Sequence, residues 1–85
     1  MTYTVKNHPK VEKFIEKCDA LLQERIRKKL LLLKENPFNC LEHYEGDTCH
    51  KLRMGDYRAL VDVDQKRKIV FIRVLDHRRR IYKRK

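Results

Sequence analysis

Apolar residues along this chain keep two different rhythms. Val11, Phe14, Ile15 and Cys18 recur at helical spacing with Lys and Glu between them. Leu22, Ile26, Leu30 and Leu33 mark a second helical stripe, which Leu21, Leu31 and Leu32 would widen, while Gln23, Glu24, Arg25, Arg27, Lys28 and Lys29 form a wet face. Beyond residue 50 the period drops to two. Ala59, Val61 and Val63 alternate with Arg58, Leu60, Asp62 and Asp64, and Val70, Ile72 and Val74 alternate with Ile69, Phe71, Arg73 and Leu75. Alternation of that kind marks strands with two unlike faces.

Punctuation fits these rhythms. Asn7-His8-Pro9 offers a capping side chain and a proline suited to a first helical turn, giving a short helix that ends near Cys18. Asp19 caps a second helix running to about Glu35, where Asn36-Pro37 stops it because a residue before proline avoids the α region. Tyr3-Thr4-Val5 is β-branched and aromatic and reads as an opening strand. Residues 37–49 read as an irregular surface loop. Three antiparallel strands follow, His50–Arg53, Tyr57–Asp64 and Lys68–Leu75, turned by Met54-Gly55-Asp56 and by Asp64-Gln65-Lys66-Arg67. The expected fold is α+β in the order βααβββ, a helical hairpin packed on a mostly antiparallel sheet, with residues 1–85 forming one domain. The wholly apolar strand faces are the natural partners of the helices. Leu60, Phe71 and Leu75 then stay partly uncovered beside cations, a patch suited to protein docking unless a bulge reverses the parity.

Size and charge narrow this further. A chain of 85 residues buries only about 60–65% of its unfolded surface, so its core must be economical. Nothing in it is long and apolar enough to span a bilayer, and the N-terminus lacks a secretory core, which leads to the expectation of a soluble, cytoplasmic protein. Cys18, Cys40 and Cys49 leave an odd thiol and fit a reducing compartment better than a disulfide framework. Cys40, His43, Cys49 and His50 are poorly spaced for zinc, since adjacent residues at a strand entrance point to opposite faces; no metal or cofactor is expected. The net charge is +10, and residues 66–85 carry +9 of it, ten Lys and Arg against Asp76 alone. So lopsided a charge is an electrostatic footprint for phosphate rather than a general aid to solubility.

The stretches KLRMGDYRALVDVD and KIVFIRVLDHRRRIYKR, in that order and on these strands, resemble the RelE/ParE superfamily of toxins from toxin–antitoxin systems. In that family a KLK-x-x-x-YR hairpin precedes a strand ending in HR and then a tyrosine. The resemblance covers essentially the whole chain and implies a RelE-like endoribonuclease that cuts messenger RNA in the ribosomal A site. Lys51, Arg53, Arg58, Arg78 and Tyr82 match the family's basic and tyrosine active-site positions, with Arg58 and Arg78 the closest matches. Arg53 stands where some members have lysine, and the spacer before Tyr82 is shorter than in some bacterial members. A cognate antitoxin is implied as partner, docking on the sheet or the helices, and Leu60, Phe71 and Leu75 beside the basic surface suit an acidic amphipathic segment.

The chemistry is consistent with these residue types. RNA carries its own nucleophile, the 2′-OH, and its attack gives a 2′,3′-cyclic phosphate and a free 5′-OH. Negative charge gathers on the phosphoryl oxygens, which arginine meets with a permanently charged, two-pronged donor. Arg58 and Arg78 are therefore expected on those oxygens, and Lys51 and Arg53 on backbone charge and on activating the nucleophile or leaving group. Tyr82 either stacks on a base or exchanges a proton. His77 is a proton carrier by chemistry or a histidine that fixes the strand end. Arg79 and Arg80 with His77 extend the RNA contact, and Lys83, Arg84 and Lys85 add diffuse attraction to ribosomal RNA. Three other functions stay open: a ParE-like toxin acting on DNA gyrase, which typically lacks this full set, a non-catalytic RNA-binding module, and a catalytically dead member retained as a repressor component.

Overall fold

The computed structural model describes residues 2–43 and 50–81. Their order is β1 (Thr4–Asn7), α1 (Pro9–Lys17), α2 (Ala20–Glu35), a 3₁₀ turn (Pro37–Asn39), β2 (Leu41–His43), β3 (His50–Met54), β4 (Tyr57–Asp64), β5 (Ile69–His77) and α3 (Arg78–Ile81). The strands form one sheet in the order β1-β5-β4-β3-β2, parallel between β1 and β5 and antiparallel elsewhere. The α+β class and the mostly antiparallel sheet agree with the expectation.

Both long helices start where the sequence signals place them. His8 accepts the Lys10 N–H through Nδ1 at 3.1 Å, with Pro9 in the first turn, and Asp19 accepts the Leu22 N–H at 2.8 Å. Their apolar sides cover one face of the sheet. Val11, Ile26 and Leu33 are buried there against Leu52, Met54, Ala59, Val61, Val70, Ile72 and Leu75. The α2 stripe is narrower than the pattern suggests. Ile26 and Leu33 are buried, whereas Leu21, Leu31 and Leu32 are 79%, 57% and 52% exposed, because one sheet face can cover only one side of a helix.

The parity of β5 is the main correction. Leu60 lies opposite Val74, but Val61 lies opposite Ile72, so Arg73 is passed over in a bulge. An inserted residue swaps the faces of everything after it. Ile72 and Leu75 therefore both enter the helix-covered core, and Val74 moves to the other face. Leu60 is buried on that second face by Ile81 of α3, with Val74 beside it. Of the three residues expected as one uncovered docking patch, Leu60 and Leu75 are thus buried on opposite sides of the sheet, and Phe71 is half-buried with His8 against its ring at 6.4 Å.

Residues 37–49 were expected to be irregular throughout; the 3₁₀ turn and β2 correct this. Leu41-Glu42-His43 is too short to show a period of its own and becomes a strand by pairing Leu41 with Leu52 and Glu42 with Lys51. The two turns follow expectation: Gly55 takes φ 64°, and Asp64 Oδ1 accepts the N–H groups of Lys66 and Arg67, both at 3.1 Å. No helix among the described residues is long and apolar enough to cross a membrane.

Candidate functional site

The face of the sheet away from α1 and α2 carries the cations. On β3, Leu52 and Met54 fill the core, so Lys51 and Arg53 point the other way. On β4, Ala59 and Val61 are core residues and Arg58 and Leu60 share the second face. Arg53 lies directly opposite Arg58 across the β3–β4 ladder. On its other side Arg58 faces Asp76 across the β4–β5 ladder, an opposite charge that offsets the like-charge neighbour.

Arg58 and Arg78 arrive at one turn from two directions. The Arg58 Nη1 donates to the carbonyl oxygens of Gly55 and, at 2.8 Å, of Tyr57, which folds its guanidinium over the β3–β4 turn. The Arg78 N–H donates to the Asp56 carbonyl of the same turn at 2.8 Å. Both anchors on Arg58 are neutral carbonyls, so they orient the guanidinium without cancelling its charge. One turn thus holds the Arg58 guanidinium and the Arg78 backbone, and the Arg78 side chain is exposed to solvent.

Glu42 is the functional candidate that the sequence pattern hid. Its carboxylate lies 3.7 Å from the Lys51 Nζ and 3.5 Å from the Arg53 Nε. A lone acid in an expected loop gives no period to read, and its position became meaningful only through the pairing of β2 with β3. Farther along the same face Asp62 lies 3.5 Å from Arg73, and at the β4–β5 turn Asp64 lies 3.9 Å from Arg67.

His77, Arg79 and Arg80 continue from this turn. The His77 Nδ1 accepts the Arg79 N–H at 3.2 Å, so it fixes the start of α3 and its proton sits on Nε2. Its backbone N–H donates to the buried Asp76 carboxylate at 2.7 Å. Its ring stands edge-on to Tyr57, with centroids 5.5 Å apart. Arg79 and Arg80 are exposed, and Ile81 is the buried peg that holds this short helix over Leu60. Tyr82, Lys83, Arg84 and Lys85 lie outside the described residues, as does Cys49.

A small helical hairpin on one face of a five-stranded mixed sheet is a fold this chain shares with solved RelE toxins. The family model for the ParE toxin of type II toxin–antitoxin systems matches residues 5–82, and the chain belongs to that family, within the RelE/ParE superfamily. Among solved structures it is similar to RelE in the archaeal RelE–RelB complex from Pyrococcus horikoshii, 28% identical over 92% of this chain and 97% of that one, with a TM-score of 0.78. It is similar to a free mutant form of E. coli RelE, 26% identical over 91% of this chain and 84% of that one, at a TM-score of 0.69. The RelBE2 complex of Mycobacterium tuberculosis shares the fold at 22% identity and a TM-score of 0.79, covering 92% of this chain and 100% of that one. No curated protein matches the chain significantly.

Proposed function

We propose that this chain is the toxin of a RelBE-type pair, a ribosome-dependent endoribonuclease that cleaves messenger RNA in the A site and so arrests translation. The observation that carries this reading is one turn that holds the Arg58 guanidinium and ties down the start of the Arg78 helix by its backbone, beside Lys51 and Arg53 on the adjoining strand. As the 2′-oxygen bonds to phosphorus and the 5′-oxygen leaves, a proton departs from the first and one arrives at the second. Charge on the phosphoryl oxygens is met by the Arg58 and Arg78 guanidiniums, the former already oriented by its carbonyl anchors. Losing one preorganised donor of this kind costs about 10²–10³-fold in rate. Lys51 and Arg53 hold the adjacent backbone phosphate once the Glu42 carboxylate gives them up, and Tyr82 acts on a base or a proton. A cognate antitoxin is the natural partner, as RelB is in the P. horikoshii complex, and the cytoplasm is where both would meet ribosomes.

The test is toeprinting of messenger RNA on ribosomes incubated with purified protein. Wild type should produce new 5′-OH ends in the A-site codon, and Arg58→Ala and Arg78→Ala should each remove them while circular dichroism stays unchanged. Full cleavage by a folded double variant would take both arginines out of the site. The family model's ParE description favours a second reading, action on DNA gyrase. It predicts DNA-damage signalling, with translation intact, when the protein is expressed without its partner.

A further inference from the structure

A cavity of about 390 Å³ lies on the helix side of the α3 junction, lined by Phe14, Tyr57, Asp76, His77, Arg79 and Arg80. Its size falls in the range of small-molecule sites, about 300–1,000 Å³. Three aromatic rings run along it in series: Phe14 to Tyr57 at 5.8 Å and 66°, then Tyr57 to His77 at 5.5 Å and 77°. Edge-on contacts of this kind occupy the edge of one ring and a face of its neighbour, and all three rings are half-buried, so part of each stays accessible. The rim is cationic, with Arg79 and Arg80 both exposed. Arg78, the phosphoryl candidate, immediately precedes the two rim arginines on the same short helix.

We propose that this cavity is a slot for one nucleobase of single-stranded RNA, stacked on Tyr57 with the His77 ring edge-on beside it, and with Arg79 and Arg80 on its flanking phosphates. The slot rests on the nuclease reading above for its substrate and gives that reading a source of sequence preference. A base seated here belongs to a nucleotide next to the cleaved bond, because the residues holding base and scissile phosphate are neighbours in α3 and the β3–β4 turn. Aromatic platforms beside arginines are the usual way a protein grips an unpaired base.

The experiment is a proton NMR titration of the whole chain with tetranucleotides that carry 2′-deoxyribose at every position and so cannot be cut. Ring protons of Tyr57 should move upfield, and those of His77 should shift and saturate with them. Tyr57→Leu should weaken binding roughly 5- to 150-fold, the span associated with one stacked base, while Tyr57→Phe keeps it. Arg79→Gln, an exposed change, should weaken binding yet leave the ring shifts at saturation. Shifts confined to backbone amides around Arg58 and Arg78, with the rings unmoved, would overturn the slot and leave the nuclease reading standing. Saturating ring shifts with a wild-type protein that cuts nothing on ribosomes would do the reverse.

Discussion

The two faces of β4 have opposite tasks. Ala59 and Val61 look into a core of α1, α2 and the two neighbouring strands, where each fully buried large aliphatic side chain contributes about 1.5–3 kcal/mol. Arg58 and Leu60 look out on a surface where, among the described residues, the covered apolar part is Leu60 beneath Ile81 with Val74 beside it. One face makes the fold stable. The other carries charge, with Arg53 opposite Arg58 on one side and Asp76 on the other. Alternation at period two lets a single strand do both, provided each side keeps to its own residue types.

The contrast breaks most visibly in the core. Ile72→Ala, at a position 1% exposed, should lower unfolding free energy by about 2–5 kcal/mol in urea titrations. A loss below 1 kcal/mol would mean that the helices do not rest on this face as described. Ile81→Ala tests the Leu60 contact of the open face. We expect a loss near the lower end of that range, about 2 kcal/mol, together with reduced cleavage in toeprints, since the α3 arginines lose their peg. Unchanged cleavage would detach α3 from the chemistry. Asp19→Ala removes a cap on the stable side and should cost about 1 kcal/mol with cleavage per folded molecule unaltered.

Glu42→Gln separates charge from stability. Exposed ion pairs are each worth about 0–1 kcal/mol, so melting should barely change, while RNA binding tightens roughly two- to fivefold as the negative charge beside Lys51 and Arg53 is removed. Weaker binding would instead make the Glu42 carboxylate a direct contact to RNA. The smallest effect concerns Cys18. Burial, with Asp19 adding to it, pushes this thiol up, and its Sγ–H donates to the Phe14 carbonyl at 3.1 Å. The folded state thus favours the neutral thiol: that contribution is complete below the ordinary thiol range and is lost as pH rises through it. Alkylation of Cys18 at neutral pH should be slower than for an unstructured cysteine peptide, and stability should decline slightly above pH 9.

How far the chain could be read depended on how local each interaction is. Helix α2 starts at the capping Asp19 and stops at Asn36 before Pro37, and those instructions lie within one turn of the residues they govern. The alternation along β4 and the positive φ at Gly55 are equally local, and so is the placement of Arg58 beside its turn. The bulge at Arg73 is not local. It exists because β5 must match β4 at both ends, and it sends Leu75 to one side of the sheet and Val74 to the other. Strand β2 needed β3 to pair with, and Ile81 needed Leu60 to rest on. Solvent took Leu21, Leu31 and Leu32 because the sheet had one face to offer α2. By itself, then, the sequence determined element type, capping and which residue kinds alternate. Only the tertiary structure decided register, hence which side each alternating residue occupies, because register is a balance of contacts between residues far apart in the chain.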